Sequence, residues 1–121
     1  MFKSANEFVA KAKKEIEEIS PLEAESLIEH GDFLVLDVRE PAEYQLGWIA
    51  NAINIPRGML EFIVSSRPEL QNVEKRIIVY CKVGGRAAPA AQTLKAMGFS
   101  KVYSIAGGFD SWIASGRTAK K

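Results

Sequence analysis

The only cysteine in this 121-residue sequence, Cys81, directly follows the apolar run Ile77-Ile78-Val79-Tyr80. After it come Lys82-Val83-Gly84-Gly85-Arg86, and the Ala-rich stretch 86–97 reads as a helix ending at Gly98. A strand, a thiol, a glycine loop and a helix start thus occur in immediate succession. In an open α/β sheet, ligands bind at the carboxyl ends of strands. A helix start is an anion site, because its first N–H groups lack partners and the dipole is positive there. Gly84 and Gly85 let the loop curl so that several N–H groups point inward. Arg86 adds a cation and Lys82 is placed to add another. Such surroundings favour the nucleophilic thiolate over the thiol. They also stabilise an anionic substrate and any charge left on sulfur after transfer. A lone cysteine at a strand end is more often a small buried hydrophobe. Here the loop, Arg86 and the helix start together favour a nucleophile.

Two chemistries suit a cysteine in an anion cradle: phosphoryl transfer and sulfur transfer. Cysteine-dependent phosphatases place five residues between Cys and Arg, which leaves room for a tetrahedral phosphate. Only four intervene here, so the ring of N–H groups is expected to be tighter and better sized for one sulfur atom. Tyr80 precedes the cysteine where such phosphatases commonly carry His, and no general-acid Asp follows just downstream.

The elements around this loop alternate. Residues 2–19 show apolar positions at three- and four-residue steps (Phe2, Phe8, Val9, Ala12, Ile16, Ile19) and read as an amphipathic helix. Ser20, Pro21 and Glu23 form a capping-box signature for a second helix, which ends near His30-Gly31. Phe33–Val38 and Arg76–Tyr80 are buried strands, Ala52–Ile55 and Lys101–Ile105 further strands, and 57–65 a weak helix. Alternating strands and helices predict a single α/β domain whose central, mostly parallel sheet has helices on both faces.

Composition fits that picture. Hydrophobic residues make up 47% and charged residues 26%, which excludes a disordered or coiled-coil chain. A net charge of +1 argues against a nucleic-acid partner. One cysteine excludes an intramolecular disulfide, and one histidine, His30, removes most zinc sites. No apolar run reaches the ~20 residues of a membrane span, so no membrane partner is expected. The N-terminus lacks a signal-peptide pattern, so the expected compartment is the cytoplasm; a precursor already cleaved for the periplasm would look the same.

At the residues around Cys81 the chain resembles the rhodanese (sulfurtransferase) domain family, single-domain type. Cys81-Lys82-Val83-Gly84-Gly85-Arg86 is similar to its Cys-x-x-Gly-x-Arg loop. Asp37-Val38-Arg39 with Glu43-Tyr44, Gly47 through Pro56, Gly98-Phe99, Val102-Tyr103 and Gly107-Gly108 with Trp112 resemble further family segments in the right order. Together they cover residues 20–116. This divides the chain into an N-terminal helical extension (1–19), the rhodanese-like domain (20–116) and a frayed basic tail (117–121). Trp48 replaces the usual His, Asn51 the usual Gly, and Ala87 stands where many members have Ser.

The resemblance implies a two-step transfer through a Cys81 persulfide. A small anionic sulfur donor, thiosulfate or polysulfide, loads the cysteine, and a thiol or cyanide accepts the sulfur. No metal or organic cofactor is implied. Cys81 is the expected catalytic residue. Arg86, assisted by Lys82, is expected to bind the donor, with Val83, Gly84 and Gly85 completing the loop. Asp37 and Arg39 are expected to hold the active-site loops in place, with Glu43 as a scaffold partner for Arg39. Trp48 is either a wall of the pocket mouth or a packing residue. The N-terminal helix is either a cap on the domain or the surface of a homodimer. The rivals are a non-enzymatic rhodanese-like module that binds a partner or carries sulfur, and a small phosphatase or arsenate reductase.

Overall fold

Two serine caps start the first two helices. In the computed structural model, which describes residues 1–121, Ser4 caps α1 (Ala5–Lys14) and Ser20 caps α2 (Pro21–His30). In each, the serine side chain accepts the N–H of a glutamate three residues on, and that glutamate's carboxylate accepts the serine's own N–H. The remaining elements are β1 (Glu17–Ile19), β2 (Phe33–Asp37), α3 (Pro41–Gln45), β3 (Ile53–Asn54), α4 (Leu60–Ser66), β4 (Arg76–Tyr80), α5 (Ala87–Ala96), β5 (Val102–Ile105) and α6 (Gly108–Ala114). Short 3-10 turns cover Arg57–Met59 and Pro68–Leu70.

The five strands form one parallel sheet in the order β1-β5-β4-β2-β3. Apolar side chains of β4 alternate between two cores. Ile77, Val79 and Cys81 face α4 and α5, with Leu60, Val64, Ala90, Ala91 and Leu94. Ile78 and Tyr80 face the other layer, with Ala24, Ile49 and Trp112. A strand covered on both faces needs this nearly unbroken apolar run. From β2 the chain continues toward the β3 edge, and from β4 toward β5. The crevice between the ends of β2 and β4 is therefore the topological switch point, and Cys81 lies beside it.

Two expectations are corrected. The helix over 2–19 stops at Lys14, and Glu17–Ile19 becomes an edge strand in register with Tyr103–Ile105. Ile16 and Ile19 fit a helical period, but pairing with the open edge of β5 decides their conformation, a tertiary effect that overrides local pattern. Of the first 19 residues, Glu17–Ile19 thus join the sheet, and the helix is confined to Ala5–Lys14. The C-terminal tail is not frayed either. Lys120 exchanges two backbone hydrogen bonds with Trp48, at 3.0 and 2.8 Å, and the Thr118 carbonyl accepts Trp112 Nε1–H at 2.9 Å.

Candidate active site

Cys81 follows β4 directly, and the chain then turns back through residues 82–86 into α5. Three main-chain N–H groups converge on its sulfur: Gly84 at 3.0 Å, Ala87 at 3.3 Å and Arg86 at 3.4 Å from Sγ. The latter two are the first amides of α5, whose own carbonyl partners do not exist. Gly84 has φ +115°, a left-handed conformation that glycine adopts without strain. Gly85 donates nothing to the sulfur and lies exposed with Val83 at the tip of the loop. Ala87, which stands where many family members have Ser, contributes a backbone donor. A backbone donor leaves no signature in residue type.

The loop is held from below by the start of α6. Phe109 N–H donates to the Cys81 carbonyl at 2.8 Å, and Asp110 N–H to that of Lys82 at 3.0 Å. A β-carbon on Gly108 would lie 2.5 Å from the Cys81 carbonyl oxygen and 2.6 Å from that of Lys82. Gly108 also has φ +60°. Only glycine permits this close approach.

The cations are arranged differently from expectation. Arg86 does not present a free guanidinium; it grips Glu43 with two hydrogen bonds, at 2.7 and 3.1 Å. Those bonds hold the Glu43 carboxyl down at about 2, despite burial that pushes it up. The same bonds raise the Arg86 guanidinium against its partial burial. Lys82 Nζ is paired with Asp110 at 2.9 Å. Glu43 was expected beside Arg39, but Arg39 is taken by Asp37. Arg39 Nη2 donates to Asp37 Oδ2 at 2.7 Å, and Nε donates to Oδ1 at 3.0 Å. Nη2 also reaches the Gly47 carbonyl at 2.7 Å. The guanidinium lies 4.3 Å from the centroid of the Phe109 ring. Burial pulls the Arg39 guanidinium down, but the bonds and charge of Asp37 more than offset it. Asp37 and Arg39, both buried, thus tie the end of β2 to the Gly47 turn and to α6. Tyr80, whose hydroxyl accepts Ile49 N–H at 3.0 Å, is raised well above the usual phenol range, chiefly by burial.

Beside the loop lies a cleft lined by Arg39, Glu43, Leu46, Lys82, Phe109 and Asp110. Cys81 does not line it and is only 1% exposed. The thiol is therefore buried beneath its loop rather than open at the strand end, although the amides do face it. Trp48 takes the packing role: its ring stacks on Tyr44 at 5.0 Å. Asn51 adopts φ +70°, the left-handed conformation that explains a glycine at this place in related patterns.

A buried thiol in a main-chain cradle at the switch point of a parallel sheet defines a class of α/β domain, and comparison narrows it. The model of the rhodanese-like domain matches residues 20–115. This chain belongs to the rhodanese-like domain family. It is 37% identical over 97 residues to the thiosulfate sulfurtransferase GlpE of Coxiella burnetii, covering 80% of this chain and 87% of that one. Among solved structures, a protein of unknown function and possible tyrosine phosphatase from Rhodopseudomonas palustris CGA009 superposes with a TM-score of 0.91 at 30% identity. It covers 99% of this chain and 96% of its own. The polysulfide-sulfur transferase homodimer of Wolinella succinogenes superposes with a TM-score of 0.76 at 34% identity, covering 93% and 83%.

Proposed function

We propose that this chain is a rhodanese-type sulfurtransferase that moves sulfane sulfur from thiosulfate or polysulfide through a persulfide on Cys81. The observation that carries the reading is the convergence of the Gly84, Arg86 and Ala87 N–H groups on one sulfur. Likeness to a thiosulfate sulfurtransferase over 80% of the chain supports it. In the first step the Cys81 thiolate attacks the outer sulfur of thiosulfate. The bond between that sulfur and the sulfite sulfur breaks, and sulfite leaves with the electron pair. In the second step the acceptor, a thiol or cyanide, attacks the outer sulfur of the persulfide; with cyanide, thiocyanate leaves and the thiolate returns. The three N–H donors face Cys81 Sγ, where they can stabilise negative charge that develops on sulfur during transfer.

With Cys81 buried, donor entry requires the exposed loop tip or the Arg86–Glu43 clasp to shift. Arg86 acts through its backbone N–H and by fixing the loop on Glu43. Asp37 and Arg39 position β2 beside it. The small loop, four residues between Cys81 and Arg86, disfavours phosphate. A thiosulfate:cyanide assay set beside an aryl-phosphate assay tests this. Thiocyanate formation that vanishes in Cys81→Ser, without phosphate release, is the expected result. Phosphate release without thiocyanate overturns the reading, and so does a chain that forms thiocyanate from neither thiosulfate nor polysulfide.

A further inference from the structure

Three cationic side chains approach the cradle loop, and two of them are neutralised. Arg86 is bound in bidentate fashion to Glu43, and both Lys82 hydrogen bonds go to Asp110. The third comes from outside the motif. Lys13 reaches Gly84 from α1: a β-carbon built on Gly84 would lie 3.8 Å from Lys13 Nζ, its nearest neighbour. Gly84 is the residue whose N–H makes the shortest contact with Cys81 Sγ. The ammonium of Lys13 makes no hydrogen bond, and its one ion pair, with Glu18, spans 3.8 Å. At that separation, with both groups partly exposed, the pairing is weak. Lys13 is therefore the least neutralised cation at the loop.

Its position is set by the fold. Ala12, the preceding residue, is fully buried and anchors α1. Just beyond the helix, the Glu15 side chain accepts from Gln92 and its carbonyl accepts from Lys95, fastening this end of α1 to α5. The same α5 starts at the cradle. The N-terminal helix thus delivers a charge to a loop about 70 residues away in the sequence.

We propose that Lys13 is a donor-binding residue, selecting sulfur donors by negative charge beside Gly84 of the cradle loop. The proposal rests on the sulfurtransferase reading above and assigns its donor selectivity to this side chain. An ammonium beside the entering group stabilises a dianion about twice as much as a monoanion of similar shape. The interaction acts on donor binding, so it moves KM rather than kcat.

The test is steady-state kinetics of the full chain with cyanide as acceptor and two donors, thiosulfate (two charges) and methanethiosulfonate (one). Lys13→Gln is expected to raise KM for thiosulfate roughly three- to tenfold with kcat unchanged, and to raise it less for methanethiosulfonate. Lys13→Arg, which keeps the charge, should restore most of the thiosulfate KM. The difference should shrink in high salt. An unchanged thiosulfate KM in Lys13→Gln overturns the proposal. So does an equal rise for both donors accompanied by a fall in kcat, which marks a structural role. A wild-type chain that uses neither of these donors nor polysulfide refutes the sulfurtransferase reading itself, and is thereby distinguished from a failure confined to Lys13.

Discussion

At the scale of single residues, the site is governed by which charges are already spent. Arg86 and Glu43 form a partly exposed, bidentate pair, so Arg86 organises the loop more than it attracts a donor. This has a consequence at low pH. The Glu43 carboxyl lies well below its ordinary 4.5, at about 2, because of the Arg86 hydrogen bonds. A carboxyl depressed in the folded state stabilises the fold fully above its unfolded value, and that contribution is lost as pH falls from about 4.5 through about 2. Because solvent reaches the pair, the contribution is on the order of 1 kcal/mol. Denaturant unfolding of wild type and Glu43→Gln across this range should show the wild type more stable near neutrality and the two curves converging toward pH 2. Curves that stay parallel throughout would show that the clasp contributes nothing.

At the scale of elements, the cradle is a joint between β4, α5 and α6. Two of the sulfur's donors come from the start of α5 and the third from Gly84 in the loop, and the carbonyls of Cys81 and Lys82 are tied down by α6. Gly108 is where these elements touch. Gly108→Ala would drive a methyl into two carbonyl oxygens at a residue with positive φ. A loss of about 2–4 kcal/mol in stability is expected. Thiocyanate formation should fall with it, even at temperatures where the variant remains folded, because the loop is displaced from its support. A stable variant with full activity would show that α6 does not position the loop.

At the scale of the whole molecule, a doubly covered parallel sheet is written plainly in the chain. The runs Phe33–Val38 and Arg76–Tyr80 announce strands buried on both faces, and Ser20-Pro21 with Glu23 announces the start of α2. Cys81 in its glycine loop was equally visible, because residue type and spacing encode it. What was hidden is nonlocal. Glu17–Ile19 has no strand pattern of its own and pairs only because β5 offers an edge. The tail is fixed by Trp48 and Trp112, partners far from it in sequence or without a motif. Glu43 is near Arg39 in sequence but meets Arg86 in space, so charge matching along the chain chose the wrong base. The burial of the thiol is likewise a property of the assembled layers, since alternation along β4 carries Cys81 into the core beside α5.

The central claim, that Cys81 carries the transferred sulfur, is tested most directly by intact-mass measurement of the chain after incubation with thiosulfate or, in a second sample, polysulfide, and removal of excess donor. A gain of one sulfur atom is expected, reversed by cyanide and missing in Cys81→Ser. A mass that changes with neither donor, or a gain that persists in Cys81→Ser, would contradict it.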